Sequence, residues 1–139
     1  MEDAHLVVFD QACSEGSPTM DAVVGIFDGH GGCQSSAFVA DNFSRFLAEQ
    51  EDCSHEEAIR GAFARCDTEL WRRFDDDGST LDASGTTALV AAVVDQKMLV
   101  ANLGDSRAVL CTNGRAQQVW FVKSCNLVKK IPPQKILYV

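Results

Sequence analysis

No apolar stretch in this chain approaches the roughly 18 unbroken residues that a membrane-spanning helix needs. The opening residues Met1 to His5 are acidic, where a secretory leader is basic and then apolar. A chain with neither span nor leader is expected inside the cell, in the cytoplasm or nucleus. The six cysteines, at positions 13, 33, 53, 66, 111 and 125, make no C-x-x-C pair and no small disulfide framework, so reduced thiols are expected. The G-x-x-x-x-G-K-[ST], G-x-G-x-x-G, G-x-S-x-G and H-E-x-x-H motifs are also absent. Kinase, NTPase, serine-hydrolase and zincin chemistries therefore have no motif to stand on.

The 139 residues, 46% of them apolar, suffice for one domain or part of one. The net charge of −8 is unevenly placed: residues 1–114 carry −13 and residues 115–139, which contain no acid, carry +5. An acidic body argues against nucleic acid, whose phosphates select clustered Lys and Arg. Carboxylates suit hard divalent cations instead. The basic tail has the composition of a partner-binding segment or of a plain terminal extension.

Short β-branched or aromatic runs, HLVVF and DAVVGIF, predict two neighbouring strands around a polar loop. From Cys33 the period changes, and Ala37, Ala40, Phe43 and Leu47 predict one face of a helix. A second helix is announced by Ser54 and Glu57 in capping-box spacing, followed by a stripe of Ile59, Ala62, Phe63, Cys66, Leu70 and Phe74. Then TTALVAAVV, KMLVANLG and RAVLCT, closed by Asn113-Gly114, predict an antiparallel meander. Strands, two helices and more strands without β-α-β alternation define an α+β domain with antiparallel sheets.

Two motifs fail on inspection. The run Asp75-Asp76-Asp77-Gly78 has the look of a calcium loop, but Arg73 and Ser84 occupy its first and last ligand positions. Cys66 and Arg72 have the C-x5-R spacing of cysteine-based phosphatases. The residues between them lie inside the second predicted helix, hold no glycine and include two acids.

The stretch VVGIFDGHGG is different. A strand ending at Asp28 holds a carboxylate on a rigid edge, Gly29 lets backbone approach a cation, and histidine at position 30 is a residue type that exchanges protons near neutral pH. Glu2 and Asp3 stand just before the first strand, and Asp105 between two others. Singly, each reads as a turn or a frayed terminus. Together they fit metal-assisted hydrolysis.

MEDAH, GIFDGHGG, SGTTALVAAV and VANLGDSRAVL, in that order and spacing, resemble four signature segments of the metal-dependent serine/threonine protein phosphatases of type 2C. The resemblance covers Met1 to about Val119, giving a partial phosphatase domain over 1–119 and a divergent basic tail over 120–139. It implies a four-layer α-β-β-α sandwich of antiparallel sheets, of which about half is present here. It also implies two Mn²⁺ or Mg²⁺ ions, with Asp28 bridging them, the Gly29 carbonyl on one, Glu2 and Asp3 on metal-bound water, and Asp105 on a third, weaker metal. His30 would protonate the leaving alkoxide of a phosphoprotein substrate.

The family's phosphate-binding arginine and its later metal-binding aspartates, in Asp-Gly-x-x-Asp and Asp-Asn segments, have no counterpart in this sequence. The expectation is thus of a sequence truncated at its start and replaced at its end. Its sheet, left partly uncovered, should favour self-association. The alternative to a working phosphatase is an inactive fragment that at most binds metal or a partner.

Overall fold

Apolar alternation sets the strands and three-to-four spacing sets the helices. A computed structural model describes residues 1–12, 19–76, 84–112, 114–118, 127–131 and 136–138. In chain order these form β1 (Ala4–Gln11), β2 (Met20–Phe27), β3 (Gly29–His30), α1 (Gln34–Ala48), α2 (His55–Asp76), β4 (Gly85–Thr86), β5 (Ala88–Val94), β6 (Lys97–Leu103), β7 (Val109–Thr112), β8 (Arg115–Gln118), β9 (Leu127–Ile131) and β10 (Ile136–Tyr138). Among the described residues all strand pairings are antiparallel. The main sheet has the order β1-β2-β5-β6-β9, a second sheet has β10-β7-β8, and β3 pairs with β4 alone.

The main core lies between the main sheet and the two helices. Val23 and Phe27 of β2, Val90 and Ala92 of β5, and Ala101 of β6 meet Phe43, Phe46 and Leu47 of α1 and Ile59 and Ala62 of α2. Phe43 stands at its centre, with ring centroids 6.2 Å from Phe27 and 5.3 Å from Phe63. The buried face of α1 is turned from the one its alanines predict. Phe38, Val39 and Phe46 are buried, whereas Ala37 is exposed and Ala40 half-buried. Rings bury far more apolar area than methyl groups, so they decide which face turns inward.

The α2 start follows its sequence signature. The Ser54 amide donates to Glu57 Oε2 at 2.9 Å, and the Glu57 amide donates back to Ser54 Oγ at 3.3 Å. Both halves of the capping box are made. Of its stripe, Ile59, Ala62, Phe63 and Cys66 are buried and Leu70 is half-buried against them.

One strand departs from the expected meander. β5 and β6 form a hairpin whose turn residues, Asp95 and Gln96, both have positive φ (48° and 61°), matching a type I′ turn. The next strand, β7, does not continue that sheet; it pairs with β8 and β10 in the second one. The reason is that β5 and β6 are apolar on both faces. Leu89 and Val100, turned away from the helices, are covered by Ala108 and Leu110 as the chain crosses beneath them. The layers therefore run helices, main sheet, second sheet, a partial form of the predicted sandwich. Val7, Phe9 and Val24 on the uncovered part of the main sheet are exposed.

Two outcomes follow from this packing. Phe43→Ala should cost about 3–5 kcal/mol in urea unfolding, the range for truncating a buried ring. The Ser54 amide, and then its hydroxyl, hold the Glu57 carboxyl below its ordinary value of 4.5. The carboxylate's contribution is thus full above that value and is lost as pH falls through the lower native one. Glu57→Gln should flatten the dependence of Tm on pH in that acidic window while leaving the neutral range shallow.

Candidate functional site

Topology gathers the candidate residues. Ala4 pairs with Phe27, so Glu2 and Asp3 lead into β1 at the same sheet end where Asp28 and Gly29 leave β2. β2 and β6 both run antiparallel to β5, which lies between them. Their C-terminal ends therefore share an edge with the start of β5, and that edge carries Asp28, Thr87 and Asp105. Phe27, fully buried, pins the end of β2, leaving Asp28 exposed as the next residue.

Gly29 is buried and tightly fitted. A Cβ there would run into the Glu2 carbonyl oxygen and stand 2.9 Å from Ser36 Oγ. The Ser36 hydroxyl donates to that same Glu2 carbonyl and lies 3.1 Å from the Cys33 carbonyl oxygen. The neighbouring Ser35 hydroxyl is 2.9 Å from both the carbonyl and the hydroxyl oxygen of Ser84. The first turn of α1 thus fastens the N-terminal segment on one side and the approach to β4 on the other.

The backbone of Asp28 is held by the next pair of threonines. Its amide donates to Thr87 Oγ1 at 3.2 Å, and its carbonyl accepts from the Thr87 amide at 2.9 Å and from Thr86 Oγ1 at 3.2 Å. The turn carrying Asp105 is held in a similar way. Asn102, almost wholly buried, donates from Nδ2 to the Ser106 carbonyl at 2.9 Å and the Gly104 carbonyl at 3.3 Å, while Ser106 Oγ lies 2.7 Å from Thr87 Oγ1.

His30 is exposed on β3, its ring over Gly85, where a Cβ would collide with Nε2. Beside it a cleft of about 280 Å³ is lined by His30, Ser35, Cys66, Leu70 and Trp71. Burial pushes the Cys66 thiol up to about 12, which removes it as a thiolate nucleophile. Arg72 is committed to Glu69 at 2.9 Å, so the C-x5-R spacing is a coincidence of the helix. The Asp75–Gly78 run lies partly outside the described residues.

The segments bearing Glu2, Asp3, Asp28, Gly29, His30 and Asp105 are therefore brought to one end of the sheet. Among the described residues, no three His, Cys, Asp or Glu side chains form a ready-made metal cage. The available donors are carboxylates and backbone carbonyls, oxygen ligands that suit Mg²⁺-like ions, which keep several waters and need only one or two protein carboxylates. In that sense the donor set fits a hard, hydrated divalent cation. Ser35 and Ser36 lie outside the four signature segments, and within those segments nothing local singles out Thr87, Asn102 or Ser106 as bracing residues. A hint exists for the first two: they fall in phase with Val39 and Phe43 on the buried face, where a polar side chain requires a partner.

An antiparallel sandwich with an acidic, oxygen-donor edge defines the class, and comparison with known proteins gives the family. The protein phosphatase 2C family model matches residues 1–125. The chain belongs to the protein phosphatase 2C family. It is 39% identical over 122 residues to probable protein phosphatase 2C 27 of Arabidopsis thaliana, covering 84% of this chain and 31% of that protein. It is 46% identical over 97 residues to probable protein phosphatase 2C 57 of Oryza sativa subsp. japonica, covering 68% and 26%. The chain thus spans about a third or less of these relatives. A crystal structure of an arginine-substituted bacterial serine phosphatase matches with TM-score 0.69 at 25% identity, over 99% of this chain and 63% of that one. The serine/threonine phosphatase Stp1 from Staphylococcus aureus shares the fold, with TM-score 0.68 at 22% identity over 86% and 46%.

Gly29→Ala should cost about 1–3 kcal/mol, because the Cβ would meet backbone and not the far end of a flexible side chain. Urea unfolding measures the loss, and the amide signals of Glu2 and Asp3 should shift with it.

Proposed function

We propose that this chain serves the hydrolysis of phosphoserine and phosphothreonine in phosphoproteins, with Mn²⁺ or Mg²⁺ held at the sheet end that bears Asp28. The observation that carries this reading is the convergence of the Glu2-Asp3, Asp28-Gly29 and Asp105 segments on one edge. Family membership supports it. Residues 1–119 make up the phosphatase-like part in this reading, and 120–139 the basic tail.

A bound divalent cation supplies charge neutralisation at the phosphate and acidifies water. Asp28 holds it from the rigid end of β2, and the Gly29 carbonyl adds a neutral donor. Glu2 and Asp3 orient its hydration shell. Asp105, on a turn braced by Asn102, serves a further ion. His30, on the neighbouring two-stranded ribbon, delivers a proton to the departing alkoxide oxygen of the serine or threonine. The cleft beside His30 gives the substrate chain an apolar wall.

The test is p-nitrophenyl phosphate hydrolysis by the purified chain with and without Mn²⁺. Mn²⁺-dependent turnover is expected to fall to background in Asp28→Asn. With an alkoxide leaving group, as in a phosphoserine peptide, His30→Gln should slow it by about 10²–10⁴-fold. A chain that circular dichroism shows to be folded, yet gives no turnover with Mn²⁺, would overturn the reading for this chain acting alone.

A further inference from the structure

Asp28 and Asp105 follow strands that are two positions apart in the sheet, about 9–10 Å by the usual strand spacing. Nothing in the sheet ladder itself fixes how the two turns sit beyond its edge. Thr87, immediately before β5 and between them, touches both. Its Oγ1 accepts from the Asp28 amide at 3.2 Å and lies 2.7 Å from Ser106 Oγ, and its own amide donates to the Asp28 carbonyl at 2.9 Å. On the other side its methyl group supports Gly104, where a Cβ would come within 2.9 Å of Thr87 Cγ2 and where φ is +105°.

A hydroxyl has one proton and two lone pairs. With one lone pair taken by the Asp28 amide, either Thr87 donates to Ser106 or Ser106 donates to Thr87. Both arrangements satisfy the link, and both need the oxygen. Asn102 completes the brace, since its grip on the Ser106 carbonyl keeps the far end of the link from drifting.

We propose that Thr87 is a positioning residue that sets the spacing between the Asp28 and Asp105 carboxylates, the hydroxyl carrying the link and the methyl group only packing. The proposal deepens the metal reading above and rests on it. A valine at this position keeps the shape and removes the link; a serine keeps the link and removes the methyl group.

The experiment compares Thr87→Val, Thr87→Ser and Ser106→Ala in the full chain by amide NMR and by titration of free Mn²⁺. In Thr87→Val the amide signals of Asp28, Asp105 and Ser106 should move together, with Asp28 exchanging faster, and Mn²⁺ affinity should fall about tenfold or more. Thr87→Ser should retain both properties. Ser106→Ala, which breaks the link from the other end, should disturb the Asp28 amide even if the valine variant folds poorly. The proposal is overturned if Thr87→Val disturbs the Asp28 side alone, or if the serine variant behaves like valine. If Asp28→Asn binds Mn²⁺ as tightly as the wild type, it is the metal reading that fails, and the amide signals still decide whether Thr87 couples the two turns.

Discussion

Where the Glu2 carbonyl passes over Gly29 there is no room for a side chain, and three parts of the protein are locked together at that point. The N-terminal segment, the end of β2 and the first turn of α1 meet through Gly29 and the Ser36 hydroxyl. Without that close approach only the Ala4–Phe27 pairing would relate Glu2 and Asp3 to Asp28. The ladder between β1 and β2 delivers the segments to one edge; the bare backbone of Gly29 lets them close on each other.

The large forces and the small ones have separate tasks. Burial of Phe27, Phe43, Phe46 and Phe63 against the sheet holds the layers and fixes where β2 ends. The edge itself is arranged by hydroxyls and one buried amide, each bond contributing about 1 kcal/mol but each aimed at a particular backbone group. The exposed Asp28, Asp105 and Glu2 carboxylates cost little to keep in water, and their like charges become an asset only when a cation shares them.

Local patterns in the sequence were readable and relations between distant segments were not. The β1–β2 pair joins strands next to each other in the chain, and the Ser54–Glu57 capping box and the β5–β6 turn depend on residues a few positions apart; all three occur as the sequence predicts. The departure of β7 from the meander escaped, because RAVLCT alternates like any strand and its sheet is chosen by which faces of β5 and β6 still need cover. The turned face of α1 escaped because alanine and phenylalanine count alike in a periodicity but not in buried area. At the site, the carboxylates drew notice as strand-end acids beside glycine. Thr87 stands inside the SGTTALVAAV segment, yet nothing local there points to its partner Asp28, 59 residues away.

The central claim is that one edge of the main sheet brings the Glu2-Asp3, Asp28-Gly29 and Asp105 segments around a shared divalent cation. Paramagnetic broadening of backbone amide signals by substoichiometric Mn²⁺ tests it directly. The account predicts that the signals of Asp3, Asp28, Gly29 and Asp105 fade first and together. Broadening centred instead on the acidic Glu49–Asp52 turn, or spread evenly over the negative surface, would contradict it.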